Sequence, residues 1–133
     1  MILAMDTREA AVRWANTWVS AWESHDVDAV VALYADACVH RSAPFREPHR
    51  GRQGVREYVV GAFAEESAVV TVYFGEPLVD GQRASVEYRA ESLDRDGAPI
   101  TLAGSAFAHF DSEGLLTEVR DYWHETAGHR APR

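Results

Sequence analysis

The chain has one cysteine in 133 residues, Cys38, so no internal disulfide can brace it and its core must hold by packing. Such usage suits a reducing compartment, and the cytoplasm is the expected location. No run approaches the roughly 18 apolar residues that a membrane span needs, and no membrane partner is expected. The opening Met-Ile-Leu-Ala-Met lacks the basic flank and the length of a signal peptide, and Asp6 follows at once. Positive charge is scarce: 13 Lys and Arg stand against 21 Asp and Glu, a net charge of −8 that opposes any phosphate backbone. Nucleic acid is therefore excluded as an expected partner. Also missing are the Cys/His spacing of a structural zinc site and a helical i,i+4 His pair, so His109, His124 and His129 point to no metal. Gly51-Arg52-Gln53-Gly54 falls short of both a phosphate-binding loop and a nucleophile elbow, and no cofactor is expected.

What is present is the make-up of one ordinary globular domain, 47% hydrophobic and 11% aromatic, read as residues 1–133 with 1–5 and 126–133 frayed. Asp6 and Glu9 have the spacing of a capping box, and Ala11, Trp14, Ala15, Trp18 and Trp22 recur at helical intervals, which predicts a first helix to about Glu23. Asp26 caps a second helix whose buried stripe is Val27, Val30, Val31 and Tyr34. A short strand is expected over Cys38–Ser42, then an irregular loop over Ala43–Arg50 and a third helix marked by Val55, Tyr58, Val59, Ala62 and Phe63. Strands follow at Ala68–Leu78, Arg83–Leu93, Ile100–Phe110 and Leu115–His124, separated by turn sequences such as Asp80-Gly81 and Asp94-Arg95-Asp96-Gly97. The fold class is α+β: a cone-shaped, curved antiparallel sheet wrapped around three N-terminal helices. A strongly curved sheet leaves a hollow, and an aromatic hollow with a few polar groups is the default ligand site.

These stretches resemble the nuclear-transport-factor-2-like superfamily, with its cystatin-like cone, in the SnoaL-like bacterial branch. The likeness is carried by Trp22 to Asp28, Leu33-Tyr34-Ala35-Asp36, Gly51 with Gly54, Asp80-Gly81, and Arg120-Asp121-Tyr122-Trp123. It implies a cone open at one end to a small apolar or polycyclic ligand, and a homodimer formed through the outer face of the sheet. It implies no single reaction, because the fold hosts isomerases, cyclases, epoxide hydrolases and proteins without chemistry.

Asp121 is the leading catalytic candidate, because it shares a strand face with Val119 and Trp123, and a carboxylate between apolar walls is pushed toward its protonated form. In the cyclases and epoxide hydrolases that the chain resembles, the matching aspartate is catalytic. The other reading makes Arg120-Asp121 a polar pair at the sheet rim. Arg89 and Glu91 match the arginine and acid that join the last-strand aspartate in the epoxide hydrolases; the alternative is a solvated face, and strand parity leaves the choice open. His40 is a candidate for titration or for a hydrogen bond to a ligand carbonyl. Trp14, Trp18, Tyr34, Tyr58 and Trp123 are expected to line the site. Against ketosteroid isomerase, the tyrosine, base and acid fall on Trp18, Ser42 and Ala106, and the partner histidine of the cyclases also falls on Ala106, so neither reaction is expected in its usual form. The expected function is a cofactor-independent enzyme of isomerase, cyclase or hydrolase type using Asp121 as acid or base. A non-catalytic ligand-binding protein with the same pocket is the alternative, and a third reading plugs the cone with its own tryptophans.

Overall fold

In this computed structural model, which describes residues 5–133, the apolar spacing of the first segment produces α1 over Thr7–Ser24, burying Ala11, Trp14, Ala15 and Trp22 on one face. Asp6 is the N-cap, but its side chain makes no capping hydrogen bond, so the expected capping box does not form. His25 stops the helix in a left-handed conformation at φ 56°, its N–H donating to the Ala21 and Trp22 carbonyls. Asp26 then caps α2, Val27–Val31, by accepting from the Ala29 N–H. The third helix, α3, spans Gly51–Ala64 and buries Val55, Val59 and Phe63.

Seven strands form one curled, unclosed sheet: β1 Tyr34–Arg41, β2 His49–Arg50, β3 Glu66–Phe74, β4 Leu78–Asp80, β5 Arg83–Asp94, β6 Pro99–Phe110 and β7 Leu116–Ala127. Their order is β2-β1-β7-β6-β5-β3, with β4 also pairing β5. The long strands β5, β6 and β7 form the antiparallel meander that alternation predicts, whereas β1 lies parallel to β7, making the sheet mixed. The helices cover the inner face, α1 against β3 and β5, α3 against β1 and β2.

Several boundaries differ from those expected. The first strand begins at Tyr34 rather than Cys38, because Tyr34 finds Leu116 as its partner across β7. Two residues of the Ala43–Arg50 loop, His49 and Arg50, pair with β1, and the predicted Ala68–Leu78 strand is broken after Phe74. In the C-terminal stretch, expected to fray, hydrogen bonds run as far as Arg130: Gly128 N–H donates to the Pro99 carbonyl at 2.8 Å, and Thr101 Oγ1 accepts from the Arg130 N–H at 3.0 Å. Met5 is tied as well, its N–H donating to the Ser112 carbonyl at 2.9 Å; residues 1–4 of the expected frayed start lie outside the described residues. Among the described residues no helix is long and apolar enough to cross a membrane.

The inner face of β6 is kept low by small residues. Gly104 stands opposite Tyr88 of β5 and Trp123 of β7, and Ala106 opposite Val86 and Asp121. A Cβ on Gly104 would collide with the Tyr122 carbonyl oxygen and come within 2.8 Å of the Trp123 Cα. Both obstacles belong to backbone, which cannot rotate away. Gly104→Ala is expected to lower the unfolding free energy by about 2 kcal/mol in urea titration; an unchanged midpoint would contradict the close approach of β6 and β7.

Candidate active site

Between the helices and the inner face of the sheet lies a cavity of about 800 Å³. Exposed Glu57, Glu65 and Glu125 mark its mouth, and Trp14, His40 and Val119 its buried end. The tryptophans form wall rather than plug. Trp14 packs edge-on against Phe110 at 6.0 Å, Trp18 against Trp22 at 5.9 Å, and Trp123 is held by its Nε1–H donating to the Ser42 carbonyl at 2.8 Å.

Asp121 faces this cavity, because β7 alternates and Val119, Asp121 and Trp123 share its inner side. Its Oδ1 accepts a hydrogen bond of 2.6 Å from the Tyr88 hydroxyl. Burial dominates its titration, raising the carboxyl from 3.8 to about 7 against the opposing pull of the Tyr88 hydroxyl and the Tyr122 backbone. The Tyr88 phenol is itself held protonated, first by burial and then by the neighbouring carboxylate.

The Tyr88–Asp121 bond spans a whole strand, since Tyr88 sits on β5, Asp121 on β7, and β6 runs between them. Two strand spacings amount to about 9.5 Å. A tyrosine can cover that span only if nothing stands up from β6 beneath it. Gly104 and Ala106 meet that condition, and their small side chains are what admit the phenol. Stacking on Phe74, at 5.2 Å between ring centres and 17° between planes, orients the Tyr88 ring.

His40 lies at the cavity's inner end, 3% exposed, with Nδ1 at 2.8 Å from the Tyr34 hydroxyl. Burial, reinforced by His49, lowers its pKa to about 3, so the ring is neutral at ordinary pH. Tyr58 packs against both imidazoles, 4.8 Å from His40 and 4.6 Å from His49, the three rings forming a triangle, and it also lines the cavity.

Three expected site residues lie elsewhere. Arg89 and Glu91 point to the outer face of β5, because Tyr88, Ala90 and Ser92 take the inner one and successive side chains alternate. There the two approach at 3.9 Å, with His129 3.8 Å from Glu91, and neither can meet Asp121 through the sheet. Tyr34 does not line the cavity; it is fully buried one layer behind His40 and reaches the site only through that imidazole. Conversely, Tyr88 belongs to the site although it is not among the residues expected there. The signal was available: the inward face of β5 carries the Tyr88 hydroxyl toward the apolar-flanked acid of β7. Among the described residues no group of three or more His, Cys, Asp or Glu is arranged to hold a metal ion.

The SnoaL-like domain family matches residues 15–119. The structure of SalBIII, described as an epoxide hydrolase/cyclase-like enzyme in pyran ring formation in polyether salinomycin, superposes with a TM-score of 0.78 at 20% identity, covering 92% of this chain and 98% of that one. RV0760c from Mycobacterium tuberculosis gives 0.76 at 19% identity over 93% and 100%. A hypothetical protein with a ketosteroid isomerase-like fold from Catenulispora acidiphila, in complex with trimethylamine, gives 0.69 at 18% over 80% and 82%. At these identities the likeness concerns the fold. Among curated proteins, none matches the sequence.

The raised carboxyl sets a pH dependence whose sign is definite. Folded Asp121 keeps its proton to about pH 7, whereas the unfolded chain releases it near 3.8, so the folded state binds more protons in between. The stabilisation is complete below the unfolded value and is lost as pH rises through the folded one. Relative to Asp121→Asn, which does not titrate, wild type is expected to lose about 2 kcal/mol between pH 5 and pH 8 in urea titrations. A pH-independent difference would return Asp121 to a solvated carboxylate.

Proposed function

The chain belongs to the SnoaL-like domain family, and on that premise we propose that it is a cofactor-independent small-molecule enzyme in which Asp121 moves a proton inside an apolar cavity. The carrying observation is the Asp121 carboxyl within that cavity, hydrogen-bonded by Tyr88 at 2.6 Å and titrating near neutrality. A group that is part acid and part base at its working pH can take a proton from one ligand atom and return it to another. That economy suits isomerisation, cyclisation or hydrolysis-like ring opening of a neutral substrate. The ring formation named for SalBIII, a protein of similar fold, is chemistry of this kind.

The aromatic walls favour a small apolar or polycyclic ligand, and the acidic mouth, with Arg46 as the one lining cation among the described residues, disfavours an anionic one. The outward direction of Arg89 and Glu91 withholds the water-activating pair of the epoxide hydrolases, which weighs toward intramolecular proton transfer over attack by water. A binding protein without turnover is the second reading, favoured by Ala106, which puts no second acid or histidine opposite Asp121.

Native mass spectrometry of protein purified from its own source would identify a retained molecule to serve as substrate. With it, Asp121→Asn is expected to keep affinity within about threefold while turnover falls at least ~100-fold. Equal turnover by the two proteins removes Asp121 from the chemistry, and a ligand unchanged by either favours the binding reading.

We further propose that a second copy covers the outer face of the sheet. Phe107 and Tyr122 stand there in edge-on contact at 5.9 Å, both over 40% exposed, with Arg120 stacked on Phe107 at 6.0 Å. Tyr122→Glu is expected to convert a dimer into a monomer in sedimentation equilibrium; a wild-type monomer at micromolar concentration removes this proposal.

A further inference from the structure

His40 enters the interior with one ring nitrogen engaged and the other free. Nδ1 is paired with the Tyr34 hydroxyl, while Nε2 is buried without a partner. Of the side chains lining the cavity, His40 alone carries a buried nitrogen left unpaired among the described residues. A stranded polar atom of this sort is destabilising, so a fold that keeps one beside a cavity has a use for it.

A neutral imidazole has one N–H, and the pair with Tyr34 decides which nitrogen carries it. With the proton on Nδ1, the phenol accepts; its own hydrogen is then stranded in a fully buried side chain that makes no other hydrogen bond, and the Nε2 lone pair is stranded too. With the proton on Nε2, the phenol donates to Nδ1 and only Nε2–H is left over. The second arrangement saves one buried unsatisfied group and is therefore the favoured one. Nε2 is also the ring nitrogen farther from Cβ, on a strand face turned toward the cavity.

We infer that His40 presents Nε2–H as a hydrogen-bond donor to the ligand, that the ligand therefore carries a neutral acceptor oxygen of carbonyl, epoxide or ether type, and that Tyr34 is the positioning residue that sets this tautomer. The inference rests on the cavity being a ligand site, as proposed above, but not on turnover by Asp121. A ring that resists protonation polarises an oxygen without delivering a proton to it. The labour is thereby divided: His40 draws charge onto the oxygen, and Asp121 shuttles the proton.

Long-range 1H–15N correlation on the full chain reads the tautomer directly. His40 is expected to show a protonated Nε2 and a bonded, unprotonated Nδ1 without titrating from pH 5.5 to pH 8, and Tyr34→Phe is expected to move Nδ1 downfield toward an unbonded lone pair. A wild-type ring protonated on Nδ1, or an Nδ1 signal indifferent to Tyr34→Phe, overturns the assignment. The ligand class is tested with α-tetralone and tetralin, one bicyclic skeleton with and without a carbonyl. The ketone is expected to bind about tenfold tighter and to shift the His40 Nε2–H proton, a preference kept by Asp121→Asn and His40→Gln but lost in His40→Leu. Equal affinities with an unmoved His40 signal overturn the acceptor-oxygen claim, and should His40→Leu fail to fold, the wild-type shift alone decides. Binding of neither probe overturns the cavity as the ligand site, whereas catalytic failure of the Asp121 reading leaves every one of these signals unchanged.

Discussion

A carboxyl group withdrawn from water, and met there by a single phenol, is the constraint around which this molecule is organised. An ionised carboxylate is costly in a medium that cannot solvate it, and Tyr88 offsets only part of that cost. The balance holds Asp121 near the middle of its titration rather than at either end. Without the curl of the sheet and the helices across it, the same residue would be an ordinary exposed acid.

The balance depends in turn on what β6 omits. A strand of small inner residues between two strands with large ones is poor packing by itself, and Gly104 and Ala106 leave a furrow in the sheet. Tyr88 crosses that furrow, so one side chain supplies both the packing and the hydrogen bond. Ala106 thereby has a positive role: any larger side chain there would stand between phenol and carboxylate. His40 with Tyr34 behind it repeats the design on β1, where a buried pair delivers one oriented polar atom to the same space.

Much of this was legible along the chain. The spacing of Trp14, Trp18 and Trp22, the cap at Asp26 and the alternation in the last three long strands led to three helices and a meander, as found. Asp121 drew attention through its apolar neighbours at i±2, a purely local signal. Arg89 and Glu91 were misplaced because a family match names positions but not the parity of a strand, and one residue of parity carries a side chain to the opposite face. The parallel pairing of β1 with β7 and the tie of Gly128 to Pro99 join residues far apart in sequence, and nothing near either segment announces them.

The amino-acid order by itself determined which segments are helical, which are extended, and which faces of them are apolar, because periodicity is written within a few residues and burial enforces it. Only the tertiary structure decided which polar groups meet. Tyr88 reaches Asp121 across an intervening strand, and Tyr34 governs His40 from behind the cavity wall. Both meetings follow from register and curl, which are set by packing of the whole sheet against its helices rather than by any stretch of chain taken alone.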